Sequence, residues 1–463
     1  MDEGNGASAA QEVAVGTARD AASTGKPRGT SGRTSIRWAI IWMAFFGTLI
    51  AYLDRANLSV AMPDIVKGFH IGPAAEGLIL SSFFWTYALF QFPAGHLIDK
   101  IGERFTYALS ICCWAVFTGL TAAATGTASL LGFRLGLGAG ESAAGPAATK
   151  VVSEWFPRGE RATASGVWAS GAQAGSALSL PVVAVIVTYL GWRWSFLITA
   201  AIALVWGAAW YFFYRRPRQH RLASAAEVAY IEGADDAADT APGAERADAE
   251  RDGHKEASPT LRWRDLLRYR TVWAMIAGFA AIDFVIYFFI TWFPTYLENA
   301  RGFSLLEVGF YGTIPGIVAT ACNWAGGLVS DRVYRKTGDV NKARKRCLVP
   351  ALLCTSVIAL AVVVPTPAEA LALLSVSYGA GTFAAAVAWT LPADVAFGSD
   401  KVGSLASLQN FAGNAAGALG PYLVGALYAA TGSFVAPLAI AGGVAILGAL
   451  AYAIGLKRVE PLR

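Results

Sequence analysis

The chain has 463 residues, of which 55% are hydrophobic and 15% are charged, and its formal net charge is +5 at pH 7. Soluble domains carry about 25% charged residues, and the mean hydropathy of this chain is +0.46. The composition therefore excludes an ordinary soluble domain and indicates an integral membrane protein.

The chain begins with a polar tail and continues as a series of apolar runs. Residues 1–36 are rich in Gly, Ala and Ser and predict a disordered cytoplasmic tail. A membrane span needs about 20 mostly apolar residues, and about twelve such runs follow. The first run is too long for the core of a cleaved signal peptide. The predicted spans are 38–62, 77–98, 105–125, 128–153, 162–187, 193–214, 271–297, 305–330, 347–365, 368–392, 402–429 and 433–455.

One long polar stretch separates the sixth span from the seventh. Residues 215–270 are rich in Ala, Asp and Glu, with few large apolar side chains, so they predict a cytoplasmic linker with room for a short helix. The linker divides the chain into two six-helix bundles, over 37–214 and 271–456, followed by a cytoplasmic tail over 457–463. The predicted fold class is therefore an all-α membrane protein with twelve transmembrane helices.

The placement of basic residues predicts the orientation in the membrane. Lys and Arg cluster before the first span, after the second, fourth, sixth and eighth spans, and at the C-terminus, whereas the opposite loops offer only Lys67, Arg193 and Arg301. By the positive-inside rule, both termini are cytoplasmic and the protein lies in the inner (plasma) membrane. Because the basic clusters alternate with spans, nucleic-acid binding is a weak interpretation. The five cysteines lack zinc or disulfide spacing and are expected to be free thiols.

The two halves carry related loops. "GHLIDKIGER" follows the second span and "GGLVSDRVYRK" follows the eighth, and both contain Gly-x-x-x-Asp followed by a basic residue. Internal repeats with a substrate site near the midplane are typical of secondary transporters. We expect these loops to form a gate that closes the cytoplasmic side in an outward-facing state. The predicted gating residues are Gly95, Asp99, Lys100, Arg104, Asp331 and Arg332.

The loop after the second span resembles the signature loop of the major facilitator superfamily, and the copy in the second half is also typical of it. The stretches "YLDRANLS", "GLGAGESAAGPAATKVVSEWFPRGERATASG", "LGWRWSFLI" and "YFFITWFPTYLENARGFSLLEVG" resemble the anion:cation symporter family, which includes proton-coupled transporters of galactonate, glucarate and hexuronates. The resemblance covers the chain from Arg37 to Val459 except for the linker. It implies a major facilitator fold and transport of an organic anion together with protons.

Charged residues inside the spans are functional candidates, because each costs at least about 2.5 kcal/mol near the bilayer centre. They are Asp54 and Arg55 in the first span, Arg134 and Glu141 in the fourth, and Asp283 in the seventh. At a rise of about 1.5 Å per residue, the first three lie in the outer half and Glu141 lies near the middle. Adjacent helical residues diverge by about 100°, so Asp54 and Arg55 do not face each other.

The residue types suggest separate roles for these charges. Arg binds a carboxylate through two parallel hydrogen bonds and stays protonated, so Arg55 and Arg134 are predicted to bind the anion. A proton carrier needs an acid that can gain and lose its proton in response to its surroundings, which suits Asp54 and Glu141. The resemblance implies the same role for these two acids. The structural alternative for each charge is an ion pair that only holds helices together.

Further polar residues are predicted to line the substrate site, since a sugar acid presents many hydroxyl groups. Each of them taken singly could equally be a helix contact or an interfacial aromatic residue. Three roles remain open for Asp283, to which the resemblance assigns no role: a third titratable site, substrate selection, or a partner for a cation. The predicted lining residues are Tyr52, Tyr87, Gln173, Trp389, Asn410 and Asn414.

The sequence thus predicts a monomeric secondary transporter that imports a small organic anion by proton symport and alternating access. The preferred substrate class is a sugar acid: an aldonate, an aldarate or a hexuronate. The alternatives are a carrier of tartrate, phthalate or an aromatic acid, a sodium-driven carrier, and an anion sensor that does not transport. A sensor would need a folded signalling extension, which the tail and linker do not predict. No metal cluster, catalytic triad spacing or phosphate loop points to an enzyme, a metal or a cofactor.

Overall fold

The computed structural model describes residues 34–157, 160–240, 266–395 and 402–456. The predicted C-terminal tail, most of the predicted N-terminal tail and linker residues 241–265 lie outside the described residues. All regular secondary structure within the described ranges is helical, which confirms the predicted all-α class.

The described ranges contain seven helices before the linker, and two of the turns between them depend on glycine. Gly102 and Gly191 both have a φ of +87°, a conformation that side chains with a Cβ rarely adopt, and each lets one helix follow another almost immediately. The helices are α1 (Ile36–Phe69), α2 (Pro73–Ile101), α3 (Glu103–Thr121), α4 (Thr127–Glu141), α5 (Ala144–Trp155), α6 (Arg161–Leu190) and α7 (Trp192–Phe213).

The remaining helices lie in the linker and the second half. A single 3-10 turn, Pro217–Gln219, leads to the linker helix α8 (Ala225–Thr240), which confirms the expected short helix. The other helices are α9 (Arg270–Thr291), α10 (Phe293–Arg301), α11 (Leu305–Tyr311), α12 (Thr313–Thr337), α13 (Val340–Thr355), α14 (Pro367–Ala388), α15 (Leu391–Val395), α16 (Val402–Thr431) and α17 (Val435–Leu450). A 3-10 segment, Ser356–Val362, extends α13, and a π-helical turn, Ala451–Gly455, extends α17.

These elements correspond to the six predicted membrane-crossing segments on each side of the linker. Within the described ranges, eight helical stretches are long and apolar enough to cross a membrane by length and composition. The four other segments are α2, α3, the α4–α5 pair and α16. The fourth crossing is split into helices of 15 and 12 residues because the chain changes direction just after Glu141.

The middle of the first half is joined by polar contacts from α1. The Asn57 side chain donates to Thr199 Oγ1 (3.2 Å) and accepts from Ser195 Oγ (2.8 Å), which ties α1 to α7. Ser179 Oγ on α6 donates to the carbonyl oxygen of Leu53 (3.2 Å). These bonds fix the rotation of α1 about its axis, and therefore the directions in which its charged residues point.

We call the end of the molecule that holds Ile36 the inner end, after the predicted orientation, and the end that holds Phe69 the outer end. At the inner end, α8 docks on the start of α1 through Glu227. The buried Glu227 carboxylate accepts hydrogen bonds from the backbone N–H groups of Ile36 and Arg37 (both 3.2 Å) and from Thr34 Oγ1 (2.5 Å). An acid from the linker therefore caps the first membrane helix.

At the outer end, the two halves of the chain meet. Lys67 on α1 forms an ion pair with Glu298 on α10, and Thr295 Oγ1 donates to the buried carboxylate of Glu76 on α2 (3.1 Å). The backbone of α2 also packs tightly on α16, where a Cβ at Gly425 would collide with the carbonyl of Pro73. These contacts close the outer end of the interface between the halves.

Candidate functional site

A cavity of about 250 Å³ lies between the two halves of the molecule. Its wall is built from α1 and α6 of the first half and from α9, α12, α14 and α16 of the second, with smaller contributions from the outer-end helices. Trp389 lies on this wall toward the inner end and is 49% exposed. Because the contacts at the outer end close the interface there, we infer that the cavity is more open toward the inner end.

The structure brings four of the six predicted lining residues to this cavity: Tyr52, Gln173, Trp389 and Asn410. Asn414 lies behind the wall, where it is buried and donates to the carbonyl of Asn410 (3.0 Å).

Tyr87 also lies behind the wall. Its ring stacks on Phe83, with 5.3 Å between the ring centroids, and the guanidinium carbon of Arg55 lies 4.6 Å from the Tyr87 ring centroid. Tyr87 therefore supports a charged neighbour in this structure, and its hydroxyl is not part of the described wall.

Arg55 and Glu141 form a buried ion pair between α1 and α4. Both Arg55 Nε (2.8 Å) and Arg55 Nη2 (2.5 Å) donate to Glu141 Oε1. The guanidinium carbon also lies 4.6 Å from the ring centroid of Tyr52, which itself faces the cavity. Aromatic faces attract cations, so the ring of Tyr52 holds Arg55 close to the cavity while Glu141 neutralises its charge.

Asp54 and Arg134 are buried nearby and are less completely paired. Thr118 Oγ1 on α3 lies 3.5 Å from Asp54 Oδ2, and Asp54 Oδ1 has no hydrogen-bond partner in the described part of the chain. Arg134 Nε likewise lacks a partner among the described residues, and the Arg134 guanidinium carbon lies 5.3 Å from the ring centroid of Phe83. Asp54 and Arg55 thus point to different neighbours, as their adjacent positions on one helix predict.

Close backbone packing positions the charged segment of α4. A Cβ at Gly138 would collide with the carbonyl of Phe83 on α2, and Thr86 Oγ1 donates to the carbonyl of Leu135 (2.7 Å). On the other side, Ser110 Oγ on α3 donates to the carbonyl of Gly140 (2.5 Å). Neighbours on two sides therefore hold the end of α4, where Glu141 is the last helical residue.

Asp283 on α9 faces the cavity directly. It is the only charged side chain among the described lining residues, and within the described ranges no hydrogen bond or ion pair reaches its carboxylate. Gly413 on α16 packs against it so closely that a Cβ there would collide with Asp283 Oδ2. The glycine provides the space that the carboxylate occupies.

Several polar lining residues escape sequence reasoning, among them Tyr287, Tyr378 and Asn323. Each sits in an apolar run, where tyrosine and asparagine resemble ordinary helix contacts. A signal existed for Tyr287, because it follows Asp283 by four residues and so shares its helix face.

The predicted gating residues make contacts within their own halves where the structure describes their side chains. Arg104 donates to the carbonyl of Tyr211 (3.0 and 2.8 Å), and Asp331 lies 3.9 Å from Arg344, which also pairs with Asp394 (2.7 Å). Sequence reasoning did not anticipate Arg344 as the centre of this cluster.

The other gating residues are less fully described. Lys100 and Arg332 are exposed. Gly95 and Asp99 belong to α2, and their side chains lie outside the described residues. The gating role remains a prediction for the whole set.

Comparison with known proteins agrees with the helical architecture. A bacterial homologue of the human lysosomal transporter Spinster, in an inward-facing and occupied conformation, superposes with a TM-score of 0.71 at 16% identity over 92% of this chain and 98% of that chain. At this identity the similarity shows the fold alone.

Sequence comparison gives closer relatives. The chain is 34% identical to the D-galactonate transporter of Escherichia coli O6:H1 over 91% of this chain and 97% of the relative. It is also 34% identical to the hexuronate transporter of Bacillus subtilis strain 168 over 91% of this chain and 94% of the relative. The family model described as Major Facilitator Superfamily matches residues 44–421. These matches confirm the predicted resemblance and the predicted fold: the chain belongs to the major facilitator superfamily and is a membrane transporter protein.

Proposed function

We propose that this protein imports a sugar acid together with protons, as a monomer in the plasma membrane with both termini in the cytoplasm. The galactonate and hexuronate specificities of the named relatives support the substrate class. An aldonate, an aldarate or a hexuronate has one or two carboxylates and several hydroxyls, which suits a cavity lined by tyrosine, glutamine and asparagine side chains.

The observation that carries this proposal is the ion pair between Arg55 and Glu141. Two guanidinium nitrogens are occupied by one carboxylate oxygen, so the same nitrogens cannot bind a substrate carboxylate at the same time. When Glu141 takes up a proton it loses its charge, and Arg55 becomes free to bind the anion through its planar fork. Competition for one arginine thereby couples the uptake of a proton to the binding of an anion.

Asp54 and Arg134 extend this coupling. The Asp54 carboxylate, with one oxygen unpaired among the described residues, is the second proton acceptor of this scheme, and the Arg134 guanidinium, with Nε unpaired there, is the second donor for the anion. Leaving buried charges without partners is costly, so such groups in a membrane span are strong candidates for function.

The closed outer end supports alternating access as the mode of transport. The ion pair of Lys67 with Glu298 and the contact of Glu76 with Thr295 would have to break for the cavity to open outward. The gating loops at the inner end would then close. The closed outer end and the more open inner side of the cavity fit the stage at which anion and protons leave toward the cytoplasm.

Uptake into proteoliposomes tests the proposal. Purified protein is reconstituted, and uptake of radiolabelled galactonate, glucarate and glucuronate is measured with an inward proton gradient, with a sodium gradient, and with neither. We expect uptake of at least one sugar acid that depends on the proton gradient. Glu141→Gln, which mimics the protonated acid permanently, should abolish gradient-driven accumulation but keep exchange of internal for external anion.

The control is Glu232→Gln, because Glu232 forms an exposed ion pair with Arg218 at the inner end and exposed pairs contribute little. Its uptake should equal that of the wild type. Gradient-driven accumulation that survives in Glu141→Gln would contradict the proposed coupling. If the protein takes up none of the sugar acids but takes up tartrate or phthalate, the proposed substrate class is wrong and the alternative carboxylates replace it.

A further inference from the structure

The charge on the cavity wall does not match an ordinary anion site. The single charged side chain among the described lining residues is the acid Asp283, whereas Arg55 is engaged with Glu141 behind the ring of Tyr52. An acid facing a bound anion repels it. A substrate that carried only negative charge would therefore bind less well here than in the same cavity with a neutral residue at position 283.

Asp283 is held in place and has no partner of its own. The backbone of α16 at Gly413 and the ring of Phe279 border its carboxylate, and within the described ranges no donor or cation reaches it. A carboxylate at mid-depth in a membrane protein is costly unless something compensates its charge. Hydroxyl groups of a sugar acid can donate hydrogen bonds to it but leave its charge in place, whereas a cationic group on the substrate would neutralise it.

The surroundings of Asp283 suit an organic cation better than a metal ion. Phe279 and Trp389 form an edge-to-face pair with 5.1 Å between the ring centroids, and Phe289 stacks on Tyr378 at 4.3 Å, all four on the cavity wall. The faces of aromatic rings attract ammonium groups. A sodium or calcium ion would instead need several oxygen ligands around it, and the residues that border the carboxylate, Phe279 and Gly413, offer no side-chain oxygen.

We propose that the sugar acid carried by this chain also bears a protonated amino group, and that Asp283 binds this ammonium. The substrate would then span the interface, with its carboxylate toward Arg55 on the first half and its ammonium at Asp283 on the second. Asp283 is thus a specificity-determining residue for a zwitterionic substrate. The inference rests on the proposed function, because it assumes that the carboxylate of the substrate binds at Arg55.

A matched pair of substrates tests this assignment. Gluconate and 6-amino-6-deoxygluconate differ at one carbon, at the end of the molecule opposite the carboxylate, where an ammonium replaces a hydroxyl. In proteoliposomes with an inward proton gradient, we expect the wild-type protein to take up the amino compound with a KM about tenfold lower than that for gluconate, a difference of about 1.4 kcal/mol. Asp283→Asn should remove this preference or reverse it in favour of gluconate.

The matched control is Asp64→Asn, which changes an exposed acid near the outer end of α1 and should keep the wild-type preference. Asp283→Asn is shown to be folded if it still transports gluconate. Gradient-driven uptake of gluconate with no preference for the amino compound would overturn the inference and leave the proposed function standing. An unchanged preference in Asp283→Asn would overturn it as well. Failure of the wild type to transport any sugar acid, with or without an amino group, would instead overturn the proposed function.

Discussion

The two walls of the central cavity hold charge in opposite ways. On the first half, Arg55 and Glu141 neutralise each other in a buried pair, and Tyr52 separates the arginine from the open space. On the second half, Asp283 reaches the cavity with no partner among the described residues. A paired charge can be released by a proton, whereas an unpaired charge is available to any ligand. We therefore propose that the first half couples transport to protons and that the second half selects the substrate.

The largest effect is expected when one member of the ion pair between Arg55 and Glu141 is removed. Arg55→Ala leaves Glu141 buried without a cation, which we expect to cost about 3 to 5 kcal/mol of stability and to abolish uptake. The double variant Arg55→Ala, Glu141→Gln should recover most of the stability but none of the uptake. Thermal unfolding of purified protein in detergent, together with uptake in proteoliposomes, measures both effects. Equal stability of the single and double variants would show that the pair is not energetically coupled.

The cavity wall of the second half can be altered without substituting Asp283 itself. Gly413→Ala places a methyl group against the carboxylate of Asp283, and such overpacking typically costs about 1 to 3 kcal/mol. We expect uptake of the preferred substrate to fall about tenfold, and the double variant Gly413→Ala, Asp283→Ala to recover uptake of gluconate but not of its amino derivative.

The control for that experiment is Gly443→Ala, since nothing lies within 4 Å of a Cβ at Gly443. This variant should transport as well as the wild type. A Gly413→Ala protein with normal uptake would mean that the carboxylate can move aside, and that its place on the wall is not fixed by packing.

The smallest effect is expected where the two halves touch at the outer end. Lys67 is 64% exposed in its ion pair with Glu298, and exposed pairs contribute about 0 to 1 kcal/mol. Glu298→Lys should change the rate of uptake by no more than about threefold at low salt, and the exchanged pair Lys67→Glu, Glu298→Lys should restore it. A larger change that persists in the exchanged pair would indicate that this contact does more than help to close the outer end.

Much of the fold was accessible from the sequence, because span length and the placement of basic residues follow directly from the physics of the bilayer. The linker, with a Gly-x-x-x-Asp loop on either side of it, predicts the division into two sets of six spans. The boundaries were less accurate: α1 ends at Phe69, beyond the predicted limit at residue 62. Polar residues such as Asp64 and Lys67 lie in this extended part, where hydropathy alone does not distinguish a helix from a loop.

For the candidate site, the sequence predicts which types of residue take part but not how they pair across helices. The cost of burying charge identified Arg55, Glu141 and Asp283, and helical geometry separated Asp54 from Arg55. The pairing of Arg55 with Glu141 joins residues 86 positions apart and depends on how α1 packs on α4, which no local pattern contains. Tyr378 was missed for a related reason, since a tyrosine in an apolar run has the same composition whether it faces lipid, another helix or a cavity.

The cap that Glu227 places on α1 has a consequence for how the protein is made. The ribosome synthesises the start of the first membrane helix about 190 residues before Glu227, so that helix is made before the acid that caps its first N–H groups. The first half gains its cap only after α8 has been synthesised and has folded back. If the gene were divided to express the halves as separate polypeptides, a break before α8 would leave α1 without its acidic cap, whereas a break after Thr240 would keep cap and helix on one fragment.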